Sequence, residues 1–166
     1  MAELNPRDRL QPFLLDRLID DLPGAQKESR DKNVLSPGQL RASIMRDIGW
    51  LFNTPGPVDR DGINEFPEAA NSVINFGVPD LTGTTGSSLR AGALERGFLK
   101  ALHTFEPRLS KRGLTVEIRE DTTGPNSISL RIAGEVIANQ VSERMYIKTE
   151  IDLETGQVNV KETTDG

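Results

Sequence analysis

Apolar residues recur at helical spacing through the first part of the chain and at every second position through the last part. Leu14, Leu15, Leu18, Ile19 and Leu22 form one stripe, Pro12 suits a first helical turn, and Pro23-Gly24 stops the run. This spacing predicts a short helix over 12–22. Polar residues 26–33 then read as a linker. A stripe carried on such an arm has to be buried, either on the chain's own core or on a partner, and the sequence leaves both open.

Ser36-Pro37-Gly38-Gln39 has the form of a capping box with proline at the first helical position. Leu40, Ile44, Ile48 and Leu51 follow as the buried face of a second helix. Trp50 falls on its polar side with Gln39, Ser43, Arg46 and Asn53. It is expected under the chain's own loop 54–62, with an interface anchor as the alternative. A third short helix is expected over 65–75 with Phe66, Ala69, Ala70 and Val73 inward. A fourth is expected over 88–105, burying Ala91, Leu94, Phe98, Leu102 and Phe105 and stopped by Pro107.

Beyond this point the period becomes two. Val116 and Ile118 alternate with charged neighbours, and Ile128, Leu130, Ile132, Val136 and Ala138 share one face of a long strand. Met145, Ile147, Ile151 and Leu153 line the next, opposed by Tyr146, Lys148, Glu150 and Asp152. Glu154-Thr155-Gly156 turns the chain back through Val158 and Val160. Strands that follow one another through short loops make an antiparallel meander with one wet face. The fold expected is α+β, with N-terminal helices packed on one face of a small antiparallel β-meander. The chain divides into a docking arm (1–24), a polar linker (25–35) and an α+β body (36–166).

The 166 residues suffice for one body with an aliphatic core, since aromatic residues are only 5%. A net charge of −5 argues against a nucleic-acid partner and against an anionic membrane surface. Without cysteine there is no disulfide framework and no thiolate metal site. The N-terminal residues lack the apolar run of a signal peptide, and no stretch approaches the roughly 18 apolar residues of a membrane span. A cytoplasmic setting is the expectation.

Catalytic groupings are sparse. His103 is the single histidine and is expected to be solvated beside Arg96 and Lys100. The loop Gly83-Thr84-Thr85-Gly86-Ser87-Ser88 lacks the lysine of a phosphate loop, so Ser87 or Ser88 is expected to cap a helix. Glycoside hydrolysis needs two carboxylates; Glu106, or Glu143 with Asp152, are the candidates, and no sugar cleft rich in aromatics accompanies them. No catalytic residue, metal or cofactor is assigned. The most unusual local feature is Glu106-Pro107-Arg108, where proline stiffens the backbone between opposite charges and is expected to present the pair outward; read from the residues alone, a plain helix terminator with a weak surface ion pair accounts for it slightly better.

Several blocks, in order, resemble the TssE family of type VI secretion baseplate subunits. They are Leu14-Leu15-Asp16-Arg17-Leu18, the run from Leu40 to Thr54, Phe66-Pro67-Glu68 with the run from Ser72 to Gly83, and Phe105-Glu106-Pro107-Arg108-Leu109. Phe52 and Phe66 replace residues that are more often Leu and Tyr. The resemblance implies a structural subunit, not an enzyme, in the baseplate wedge of a contractile injection machine related to phage tails. Its implied partners are the wedge proteins TssF, TssG and TssK and the sheath proteins TssB and TssC, with Glu106, Pro107 and Arg108 supporting the sheath contact. On the physical side, a last strand at 157–161 would offer unpaired backbone groups at Val158 and Val160 for strand addition and so template sheath assembly. Leu14, Leu15 and Leu18 would clip the arm into the wedge. Rival readings are a lysozyme-like muramidase and a same-fold adaptor for an unrelated regulator.

Overall fold

A computed structural model describes residues 12–18, 35–56, 62–81, 91–119, 127–138 and 141–163. Helices α1 (Leu14–Leu18), α2 (Pro37–Phe52), α3 (Pro67–Ala70) and α4 (Ala91–Phe105) precede strands β1 (Thr115–Arg119), β2 (Ser127–Ala138), β3 (Val141–Asp152) and β4 (Val158–Thr163). The strands pair antiparallel in the order β1-β2-β3-β4. This is the expected α+β meander. Residues 19–34 and the loop 83–88 lie outside the described residues, so the end of the first helix, the linker and the serine cap stay expectations.

Helix α2 begins as its sequence dictates. The Ser36 side chain accepts from the Gln39 N–H at 3.2 Å, and Gln39 Oε1 accepts from the Ser36 N–H at 2.8 Å. Its inward residues Leu40, Ile44, Ile48, Leu51 and Phe52 meet Leu94, Phe98, Ala101 and Leu102 of α4 in one core. Phe52 packs edge-on against Phe98 with ring centres 4.8 Å apart. The sheet contributes Ile128, Leu130, Ile132 and Val136 from β2, and Met145, Ile147 and Ile151 from β3. Burying this aliphatic set drives the collapse at about 25 cal/mol per Å² of apolar surface removed from water. Thr149, on the same face and wholly buried, donates its hydroxyl to the Leu130 carbonyl.

The stretch 62–75 departs from expectation. It is not one helix but a 3-10 turn (Gly62–Glu65), the four-residue α3 and a second 3-10 turn (Val73–Asn75). Phe66 and Ser72 leave helical geometry, so helical spacing does not carry across them. Ala70 faces inward, but Phe66 and Val73 are 64% and 84% exposed, with Ile74 beside them. On α4, Ala91 is exposed and Phe105 only half-buried, packing against Phe76. His103 is half-buried rather than solvated, and among the described residues its Nε2 has no hydrogen-bond partner.

The connection after α2 is pinned. Gly56 N–H donates to the Val78 carbonyl at 2.8 Å and Val78 N–H to the Thr54 carbonyl at 3.0 Å. Between them Gly77 adopts φ +120°, where a Cβ would stand 2.4 Å from the Thr54 oxygen. Only glycine permits this approach.

Candidate functional site

The Glu106-Pro107-Arg108 turn directly follows α4 and is stapled to the sheet. Arg108 accepts from the Ile137 N–H and Ser110 donates to the Glu135 carbonyl, both at 2.7 Å, with Leu109 bridged to Val136. That staple turns both charges inward. Glu106 is 3% and Arg108 6% exposed, so the outward presentation expected from the sequence is corrected; of the three residues only Pro107 is exposed.

The guanidinium of Arg108 grips Glu106 through two parallel hydrogen bonds, Nε to Oε1 and Nη2 to Oε2. It also reaches Asp47 Oδ2 at 2.6 Å and the Ser43 hydroxyl at 3.3 Å, both on α2. Burial pulls the Arg108 pKa down, but Glu106 and then Asp47 outweigh it and the net shift is upward, so the side chain stays charged. A planar fork with several donors meets these acceptors where an ammonium would not.

From Arg108 the network runs to the N-terminal helix. Its guanidinium lies over the Phe13 ring, 4.7 Å from the centre. Arg46 on α2 donates to Asp47 at 2.9 Å and meets Asp16 of α1 at 2.8 Å. Arg46 also stacks on Trp50 at 4.9 Å, and Trp50 is 49% exposed; residues 57–61 of the loop expected to cover it lie outside the described residues. Helix α1 itself buries no residue: Leu14, Leu15 and Leu18 are 73%, 42% and 72% exposed. The N-terminal turn is therefore attached by charge and a cation–π contact, with its leucines turned to solvent.

The second feature is the outer edge of β4. Asp152 N–H donates to the Gln157 carbonyl, which places odd-numbered backbone groups toward β3 and even-numbered ones away from it. Val158 is the first outward residue, and the Asn53 side chain occupies it in full. Asn53 Oδ1 accepts from the Val158 N–H at 2.9 Å and Asn53 Nδ2 donates to the Val158 carbonyl at 2.9 Å. The next outward residues are Val160 and Glu162. The side chains of Val158 and Val160 belong to the core face, so what these two residues have toward the edge is backbone alone. At the opposite rim Ile118 N–H of β1 donates to Glu95 of α4 at 2.9 Å. Beside Asn53 lies a pocket of about 150 Å³ lined by Phe52, Pro55, Val78, Leu81 and Phe98 among others.

The carboxylates weighed for hydrolysis each hold a structural bond. Glu106 is taken by Arg108, Glu143 by Arg41 at 2.5 Å, and Asp152 accepts from the Glu154 and Thr155 N–H groups across the β3–β4 turn. Among the described residues no group of three or more His, Asp and Glu is placed to hold a metal, and no helix is long and apolar enough to cross a membrane.

The family described as baseplate wedge protein gp25 matches residues 38–141, more than half of the chain. The chain belongs to the baseplate wedge protein gp25 family. No curated protein and no solved structure matches it. Membership carries a structural role in a baseplate of the phage-tail type. The wedge-family match takes in α2, Asn53 and the Glu106-Pro107-Arg108 turn; α1 and β4 lie beyond its limits. Sequence reasoning missed Ser43, Asp47, Phe13 and Asn53 as working parts. Asn53 alone left a signal, being a helix-ending residue that also takes the Gly49 carbonyl.

Proposed function

We propose that this wedge-family chain joins the wedge of a bacterial type VI secretion baseplate, on its cytoplasmic side, to the first ring of the contractile sheath. The observation that carries this is the outermost strand β4, whose outward backbone row continues past the Asn53 cap through Val160 and Glu162. A segment from a sheath subunit, TssB or TssC in the type VI machine, adds there as a fifth strand and starts sheath polymerisation. The exposed leucines of α1 bind TssF, TssG or TssK, and the buried Arg108 holds α1 in place through Phe13. In this reading Glu106 and Arg108 act as positioning residues, and Pro107 holds the turn between them.

Proline at Val160 removes an outward N–H without breaking the β3–β4 ladder, as edge strands tolerate. Val160→Pro, and independently Glu162→Pro, should lose capture of sheath subunits in co-purification while keeping wedge subunits and a wild-type circular dichroism spectrum. Leu14→Ser with Leu18→Ser should do the reverse. Folded proline variants that capture sheath as well as wild type would refute strand addition.

A further inference from the structure

The register of the sheet lines up one transverse row on the face away from the helices. Glu117 of β1 stands opposite Arg131 of β2, Arg131 opposite Lys148 of β3, and Lys148 opposite Lys161 of β4. The row begins with an acid and ends at the open edge on two adjacent lysines. Lys148 has a counter-ion in Glu150 at 3.5 Å. Lys161 is exposed, sits between Asn159 and Thr163 along its strand, and has no ion pair among the described residues. Like charges directly opposite one another weaken a sheet, so this row is unfinished.

We infer that the strand accepted by β4 carries an acidic side chain opposite Lys161, and that Asn53 fixes the register in which it arrives. This rests on the strand-addition reading above. Two features of the ladder support it. Because Asn53 fills both outward groups of Val158, an incoming strand begins its hydrogen bonds at Val160 and Glu162, which brackets Lys161. Lys161 turns its own backbone toward β3, so the residue facing it across the new ladder occupies a non-hydrogen-bonded pair. There the Cα atoms approach to about 4.5 Å and side chains meet most closely. A carboxylate in that place closes the row with an acid at each end. A second copy of this chain does not suit the edge, because the antiparallel register using both Val160 and Glu162 sets Lys161 against Lys161.

Asn53 is itself held rigidly enough to act as a stop. Its backbone N–H caps α2 on the Gly49 carbonyl, its side-chain nitrogen shares that carbonyl, and the following residues are bridged to Val78. The amide therefore offers Val158 a fixed imitation of a neighbouring peptide group.

The test is a nuclear magnetic resonance titration of the isotope-labelled full chain with two short extended peptides of alternating threonine and valine. One has a single central glutamate and the other a central lysine. The glutamate peptide should shift the Val160 and Glu162 amide signals, leave Val158 unmoved, and bind about fivefold more tightly than the lysine peptide. Lys161→Glu should reverse that order, and Asn53→Ala should bring Val158 into the responding set. If both peptides move Val160 and Glu162 with equal affinity, or if the order survives Lys161→Glu, acid recognition is wrong while strand addition stands. If neither peptide touches these amides at millimolar concentration, strand addition fails and this inference falls with it. If the unliganded chain dimerises through the same amides in sedimentation, the occupant is a second copy and the inference is overturned.

Discussion

Replacing Arg108 by alanine tests the buried network most directly. In the folded chain the Glu106 carboxylate is 3% exposed and is gripped by both arms of the Arg108 fork. Alanine removes every one of those bonds, the Asp47 contact at 2.6 Å, and the cation over Phe13. A buried charge stripped of its partner costs about 3–5 kcal/mol. Whole domains hold only about 5–15 kcal/mol. For a chain of this size each kcal/mol lowers Tm by about 2–4 °C, so Arg108→Ala should melt about 6–20 °C below wild type. Circular dichroism melting of purified protein reads this, with Glu106→Leu/Arg108→Met as control. Removing both charges together should be far milder, because no uncompensated ion stays behind. Arg108→Lys should fall between, since an ammonium keeps the charge but not the fork. A drop of less than about 2 °C for Arg108→Ala would refute the view that this residue neutralises a buried carboxylate. So would a double variant as unstable as the single one.

Gly77→Ala should destabilise by about 2–3 kcal/mol in urea unfolding, because alanine is strained at φ +120° and its Cβ would strike the Thr54 oxygen. Ser36→Ala removes one half of the capping box and should cost about 1 kcal/mol, measured the same way. Hydrogen bonds from the Thr155 and then the Glu154 N–H hold the Asp152 carboxyl below its ordinary 3.8. A carboxylate so depressed contributes stability above its unfolded pKa and loses it as pH falls through the folded one. Asp152→Ala should therefore be less stable than wild type near neutrality, and the gap should close in acid; a gap that widens in acid would contradict that assignment.

Where one local rule decided the outcome, the residues could be read from the chain alone. Ser36 and Gln39 formed their reciprocal cap, Leu40, Ile44, Ile48 and Leu51 took the inner face of α2, and the alternation of β2 and β3 set which residues are buried. Local rules failed where distant partners decided. Glu106 and Arg108 flank a proline, and nothing within that tripeptide shows that Ser43 and Asp47 wait on α2 to draw the arginine inward. Ser43 shares the polar side of its helix with Gln39 and Arg46 and is nevertheless buried against Arg108. The inward positions expected for Phe66 and Val73 carry one helical period across Phe66 and Ser72, where the backbone breaks. At the sheet edge the position of β4 was legible from strand succession, while its closure at Val158 depended on a side chain 105 residues away.

Helix α2 behaves as a strut with a clamp at each of two points. Arg41 clamps one to the sheet rim, holding Glu143 of β3 and Glu162 of β4 together. Asp47 and Arg46 clamp the other to Arg108 and Asp16. Only about 9 Å of helical rise separates Arg41 from Asp47. Through these two sets of ion pairs a single helix links the rim of the sheet to the N-terminal turn.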